Sequence, residues 1–76
     1  MKLETIKELE GVFEKATNSK SGLGVLIEMP GFKFPELITN PYENLEKKLK
    51  YYKDTYDENL NHKYSKGIRI IGYTFV

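Results

Sequence analysis

Asn40–Leu60, NPYENLEKKLKYYKDTYDENL, is the stretch whose reading decides the fold. Tyr42, Leu45, Leu49, Tyr52 and Tyr56 recur at three- and four-residue spacing, which gathers them on one stripe of an α-helix. The start signal is explicit. Asn40 is a favoured N-cap, Pro41 suits the first helical position, and Glu43 falls where it can reach back to the cap. The pattern predicts a helix over residues 41–60, its seam widened by Tyr51 and Leu60. Glu43 with Lys47 and Glu46 with Lys50 form i,i+4 pairs, each worth a few tenths of a kcal/mol.

Working outward, residues 67–76 (GIRIIGYTFV) read as a last strand. Strict alternation sets Ile68, Ile70, Thr74 and Val76 on one face and Arg69, Ile71, Tyr73 and Phe75 on the other. Both faces are largely apolar, so an interior strand is expected, covered by helices and by a further layer or a second subunit. Upstream, residues 32–39 (FKFPELIT) contain Pro35, which removes a backbone donor and points to an edge strand or extended arm. Pro30-Gly31 has the composition of a type II turn. Residues 23–29 alternate Leu23, Val25, Ile27 and Met29 onto one face of a strand. Residues 3–18 carry Leu3, Ile6, Leu9, Phe13 and Ala16 at helical spacing, with Thr5 and Glu8 placed for a capping box. Gly11 lies off that stripe and costs roughly 1 kcal/mol against alanine. The expected architecture is α+β, in the order α-β-β-α-β, a small two-layer domain with two helices packed on a short sheet.

Seventy-six residues make one domain, spanning 1–76. A chain this short buries only about 60% of its unfolded surface. It has no cysteine, which excludes disulfides and thiolate metal sites and fits the cytoplasm. Self-association as a homodimer is the remaining source of extra stability. Neither a signal peptide nor a membrane span is expected, because Met1–Thr5 runs straight into a charged helical pattern. Net charge is +1, but it is blocky: residues 47–53 carry +4, residues 54–58 carry −3 and residues 63–69 carry +3.

No catalytic constellation stands out. His62 is the only histidine and sits among polar residues at a predicted helix end, with no positioned partner. Glu10/Glu14 and Asp54/Glu58 have i,i+4 spacing, which suits a solvated helix face better than a metal. No enzyme activity, cofactor or metal is expected. Two binding readings remain. Lys47, Lys48, Lys50 and Lys53 surround tyrosines that could stack on single-stranded nucleic acid, although Asp54, Asp57 and Glu58 weaken that field. The other is a protein partner or second copy meeting Phe32, Phe34, Tyr51, Tyr52 and Tyr56. Phe32 and Phe34 are expected to close one end of a small core, with an exposed hook as the alternative. The tyrosine seam also suits helix pairing across a two-fold axis.

Met29–Leu60 together with Lys66–Val76 resembles small uncharacterised phage and prophage proteins of low-GC Gram-positive bacteria. The likeness is carried by Pro35-Glu36, Asn40-Pro41, Glu43-Asn44, Lys48-Leu49, Tyr51-Tyr52, Tyr56 and the short apolar C-terminal strand. The first helix contributes nothing to it. The resemblance implies an accessory phage protein that acts on host or phage machinery without chemistry of its own.

Overall fold

The computed structural model covers residues 1–76. It contains α1 (Ile6–Asn18), β1 (Leu23–Glu28), β2 (Glu36–Asn40), α2 (Leu45–Thr55) and β3 (Arg69–Phe75). The α-β-β-α-β order and the two-layer α+β class are as the sequence predicts. One antiparallel sheet has the order β2-β1-β3. Leu23, Val25 and Ile27 of β1 alternate onto the face that meets the helices. They join Leu9, Val12, Phe13 and Ala16 of α1, Leu45 and Tyr52 of α2, and Ile70 of β3 in a single core.

α1 starts by the local rule. Thr5 Oγ1 accepts from the Glu8 N–H (3.2 Å) and Glu8 Oε1 accepts from the Thr5 N–H (3.0 Å), which completes the capping box. Leu3, expected on this helix, precedes it in an extended arm and is buried there. Gly11 faces open space: an added Cβ meets no atom within 4 Å. Gly11→Ala is therefore expected to stabilise the protein by about 0.5–1 kcal/mol, read as a higher urea midpoint at unchanged m-value.

The second helix departs from expectation at both ends. Asn40 is not its cap but the last residue of β2, and its side chain is fully buried. Asn40 Nδ2 donates to the carbonyls of Leu23 (3.0 Å) and Ile38 (3.2 Å), while Oδ1 accepts from the Tyr52 hydroxyl (3.3 Å). With that side chain committed to the strands, the chain enters α2 through a 3₁₀ turn at Tyr42–Asn44, and no side chain caps the helix. α2 ends at Thr55 rather than near residue 60. Asp57 stops it: its Oδ1 accepts from the backbone N–H of both Asn59 and Asn61 (2.9 Å each). Leu60 follows at φ 65° yet is fully buried. Its N–H donates to Asp57 O (3.0 Å), and the Asp57 N–H donates to Asn61 O (2.8 Å). That is a type I turn closed by a bulge residue in the left-handed region, a position glycine normally fills.

β3 is not the interior strand. β1 is central, and β3 lies at the edge. The outer edge of β3 is paired all the same, because other segments take up its backbone hydrogen bonds. Leu3 N–H donates to Ile71 O (3.0 Å), Tyr73 N–H to Met1 O (2.8 Å) and Ile70 N–H to Leu60 O (3.0 Å). Gly72 makes room for this arm, since a Cβ there would come 2.6 Å from Met1 O. The register also slips: Ile27 pairs with Ile70 but Leu26 pairs with Gly72, leaving Ile71 as an extra residue. The alternation from sequence therefore fails at Ile71. Tyr73 and Phe75 lie opposite Val25 and Leu23, which puts them on the helix-facing side together with Ile70. β2 is an edge strand, as Pro35 implies, and its outer side is bounded by Pro35 and Pro41.

Candidate functional site

The helix expected to carry contacts is mostly occupied by its own fold. Tyr52 and Tyr56 are 1% and 4% exposed. The Tyr52 ring packs against Phe13 (centroids 5.9 Å apart) and Tyr56 (6.0 Å). Neither tyrosine can stack on a base or meet a partner; of the seam that suited helix pairing across a two-fold axis, Leu45, Tyr52 and Tyr56 face this chain's own core and Tyr42 stays exposed. Tyr51 remains, 49% exposed. Among the lysines, Lys50 pairs with Asp54 (3.0 Å) and Lys53 pairs with Glu10 across the two helices (2.8 Å). Lys48 lies over the Tyr51 ring, 5.1 Å from its centroid. Of the four, only Lys47 has neither a carboxylate partner nor an aromatic face. The patch at 47–53 is thus weaker than its +4 charge suggests.

The buried phenols have a consequence at high pH. Burial pushes the Tyr56 hydroxyl up to about 12, with the charges of Tyr51 and Tyr52 adding to it, and burial raises Tyr52 as well. An unfolded tyrosine ionises near pH 10, so above that pH the unfolded chain releases protons that the folded one holds. Stability is full below about pH 10 and falls as pH rises through about 12. Urea titrations at stepped alkaline pH read this directly. The decline is expected to shrink in Tyr56→Phe.

The accessible aromatic groups lie elsewhere, on two neighbouring loops. Phe32 and Phe34 are 66% and 75% exposed, so they do not close the core as expected. The chain reaches them through the Pro30-Gly31 turn, where Gly31 has φ 84° and the Phe32 N–H donates to Met29 O (3.3 Å). The second loop joins α2 to β3 and carries Tyr64, 77% exposed. It is closed by the His62 N–H donating to Ile68 O (2.9 Å). His62 Nδ1 accepts from the backbone N–H of Tyr64 (3.1 Å) and Ser65 (3.0 Å). Its ring packs edge-on between Tyr56 and Tyr64. His62 is thus a brace for this loop. The two loops abut: a Cβ at Gly67 would lie 3.3 Å from Pro30 Cγ. Behind them Met29, Ile38, Tyr51, Tyr56, His62 and Ile68 help line a shallow groove of about 190 Å³.

Residues 29–35 and 62–69 contain Lys33, Lys63, Lys66 and Arg69 and no acidic residue. None of the four cations is in a salt bridge. Glu28 and Glu36 flank the patch on their strands. Lys33 Nζ lies 5.8 Å from the centroid of the Phe34 ring. Sequence reasoning singled out Phe32 and Phe34 but passed over Tyr64. Its signal was compositional, an aromatic residue between Lys63 and Lys66 with no apolar periodicity to carry it inward.

Another groove, about 360 Å³ between the two helices, has Phe13, Leu45 and Leu49 together with Glu10, Glu14 and Glu46. No three histidine, aspartate or glutamate side chains gather as metal ligands. No helix is long and apolar enough to cross a membrane. No protein-family profile, curated protein or solved structure matches the chain.

Proposed function

We propose that this protein is a binding module without covalent chemistry, and that its contact surface is the loop pair displaying Phe32, Phe34 and Tyr64. The observation that carries this reading is the placement of Phe32 and Phe34. A small domain needs its large apolar residues inside, yet these two stand in water, Phe32 at the end of a hydrogen-bonded turn and Phe34 two residues beyond it. Exposed aromatic groups held by a fixed backbone lose little conformational entropy on binding, which is why such groups dominate contact energies. The resemblance to phage and prophage proteins supports an accessory role in an infected bacterium.

The test compares wild type with Phe32→Ala/Phe34→Ala as baits in bacterial lysate, with both protein and nucleic acid quantified. The double variant is expected to keep the wild-type urea midpoint, because exposed side chains contribute within about 0.5 kcal/mol, and to lose what the wild type retains. An unchanged capture profile, or a stability loss above about 1 kcal/mol, would refute this surface assignment.

A further inference from the structure

We propose that the surface formed by the Pro30–Pro35 and His62–Gly67 loops binds single-stranded nucleic acid, with bases stacked on Phe32, Phe34 and Tyr64 and phosphates held by Lys33, Lys63 and Lys66. This rests on the binding reading above and names its partner. Charge sets the partner's sign. The three lysines of these loops have no carboxylate bound to them, whereas Lys50 and Lys53 on α2 are already paired with Asp54 and Glu10. The patch attracts an anion through ammonium groups that need break no ion pair first.

The chemistry of the apolar groups sets the partner's class. Every large exposed apolar side chain on the two loops is aromatic, while the exposed aliphatic groups Met1, Leu37 and Val76 belong to the arm, β2 and the chain end. A lipid surface accepts aliphatic and aromatic groups alike, but an unpaired base needs a π face. Lys33 lies 5.8 Å from the Phe34 ring centroid, and Lys63 and Lys66 bracket Tyr64 in sequence, so two of the three stacking residues have a phosphate ligand close by in space or in the chain. Duplex DNA fits less well, since its bases are already stacked and groove reading favours arginine forks. The surface is also built in advance. His62 holds the Tyr64 backbone, the type II turn holds Phe32, and Gly67 against Pro30 joins the two loops.

The experiment is fluorescence anisotropy of a labelled oligothymidylate of about 12 nucleotides, a length within the usual footprint of such surfaces. Binding is expected at low salt. It should weaken roughly 15-fold between about 50 and 200 mM salt, from a logarithmic slope near −2 for three lysine contacts. Phe34→Ala and Tyr64→Ala are each expected to weaken it by roughly five-fold or more while keeping the wild-type urea midpoint. Lys47→Glu/Lys50→Glu should leave it unchanged. The proposal is overturned by absent binding at low salt, by affinity unaffected in Phe34→Ala and Tyr64→Ala, by loss in the Lys47/Lys50 variant, or by tighter binding to a duplex. Sedimentation with phosphatidylserine vesicles without oligothymidylate binding would reassign the surface to lipid. Should the oligothymidylate fail while Phe32→Ala/Phe34→Ala still loses a lysate partner, only the partner class falls. If that double variant loses nothing, the surface falls too.

Discussion

Asn40→Asp is expected to leave the chain largely unfolded at neutral pH. In the native protein Asn40 Nδ2 donates to two backbone carbonyls, and Oδ1 receives the Tyr52 hydroxyl. Aspartate keeps the acceptor but turns the donor into an oxygen facing the Leu23 and Ile38 carbonyls, in a place without solvent access. The carboxylate must be buried unpaired, or protonate to stay. Either way the cost is about 4 kcal/mol or more, which exhausts most of the stability of a domain this size. Asn40→Ala removes the clash but leaves the buried Tyr52 hydroxyl without its acceptor and the amide's space empty, and is expected to cost about 2–3 kcal/mol. Tyr52→Phe loses one hydrogen bond at 3.3 Å and should cost about 1 kcal/mol. Urea unfolding followed by circular dichroism ranks the three. An Asn40→Asp protein within about 1 kcal/mol of wild type would show that the buried amide does not join strand to helix as described.

Leu60 gives the second large effect, with an unusual ordering. Leu60→Ala is expected to lose about 3 kcal/mol by emptying a fully buried site while leaving alanine in the left-handed region. Leu60→Gly empties the same site but releases about 1 kcal/mol of backbone strain. Glycine should therefore be the milder replacement, by about 1 kcal/mol, although it is the smaller residue. Equal losses would mean that the φ of 65° stores no strain.

These two residues mark where the sequence stopped being readable. The α1 cap was legible because Thr5 and Glu8 need only each other, and the Pro30-Gly31 turn because its requirement is local. The alternation of Leu23, Val25 and Ile27 was legible because one face of β1 is uniformly buried. Asn40 satisfied the local cap rule as well as any residue can. It was claimed instead by Leu23 and Tyr52, 17 and 12 positions away, and no local pattern records such a contact. Leucine carries no turn signal, so Leu60 read as helix. Met1–Leu3 is too short to show a period, so its pairing along the edge of β3 was hidden, as was the bulge at Ile71 that moves Tyr73 and Phe75 onto the helix-facing side. At the candidate site, helical spacing brought Tyr51, Tyr52 and Tyr56 together, but burial separates Tyr51 from the other two. Phe32 and Phe34 were legible as candidates, and only the structure shows which side of the surface they occupy.

The outer side of β2 bears on how this chain behaves when crowded. β3 is sealed by Met1–Leu3 and Leu60, so β2 is where an incoming strand could lengthen the sheet. It offers five residues, closed at each end by a proline that has no amide hydrogen to give. A visiting strand runs out of donors almost as soon as it starts, so fibril growth by strand stacking finds no foothold there.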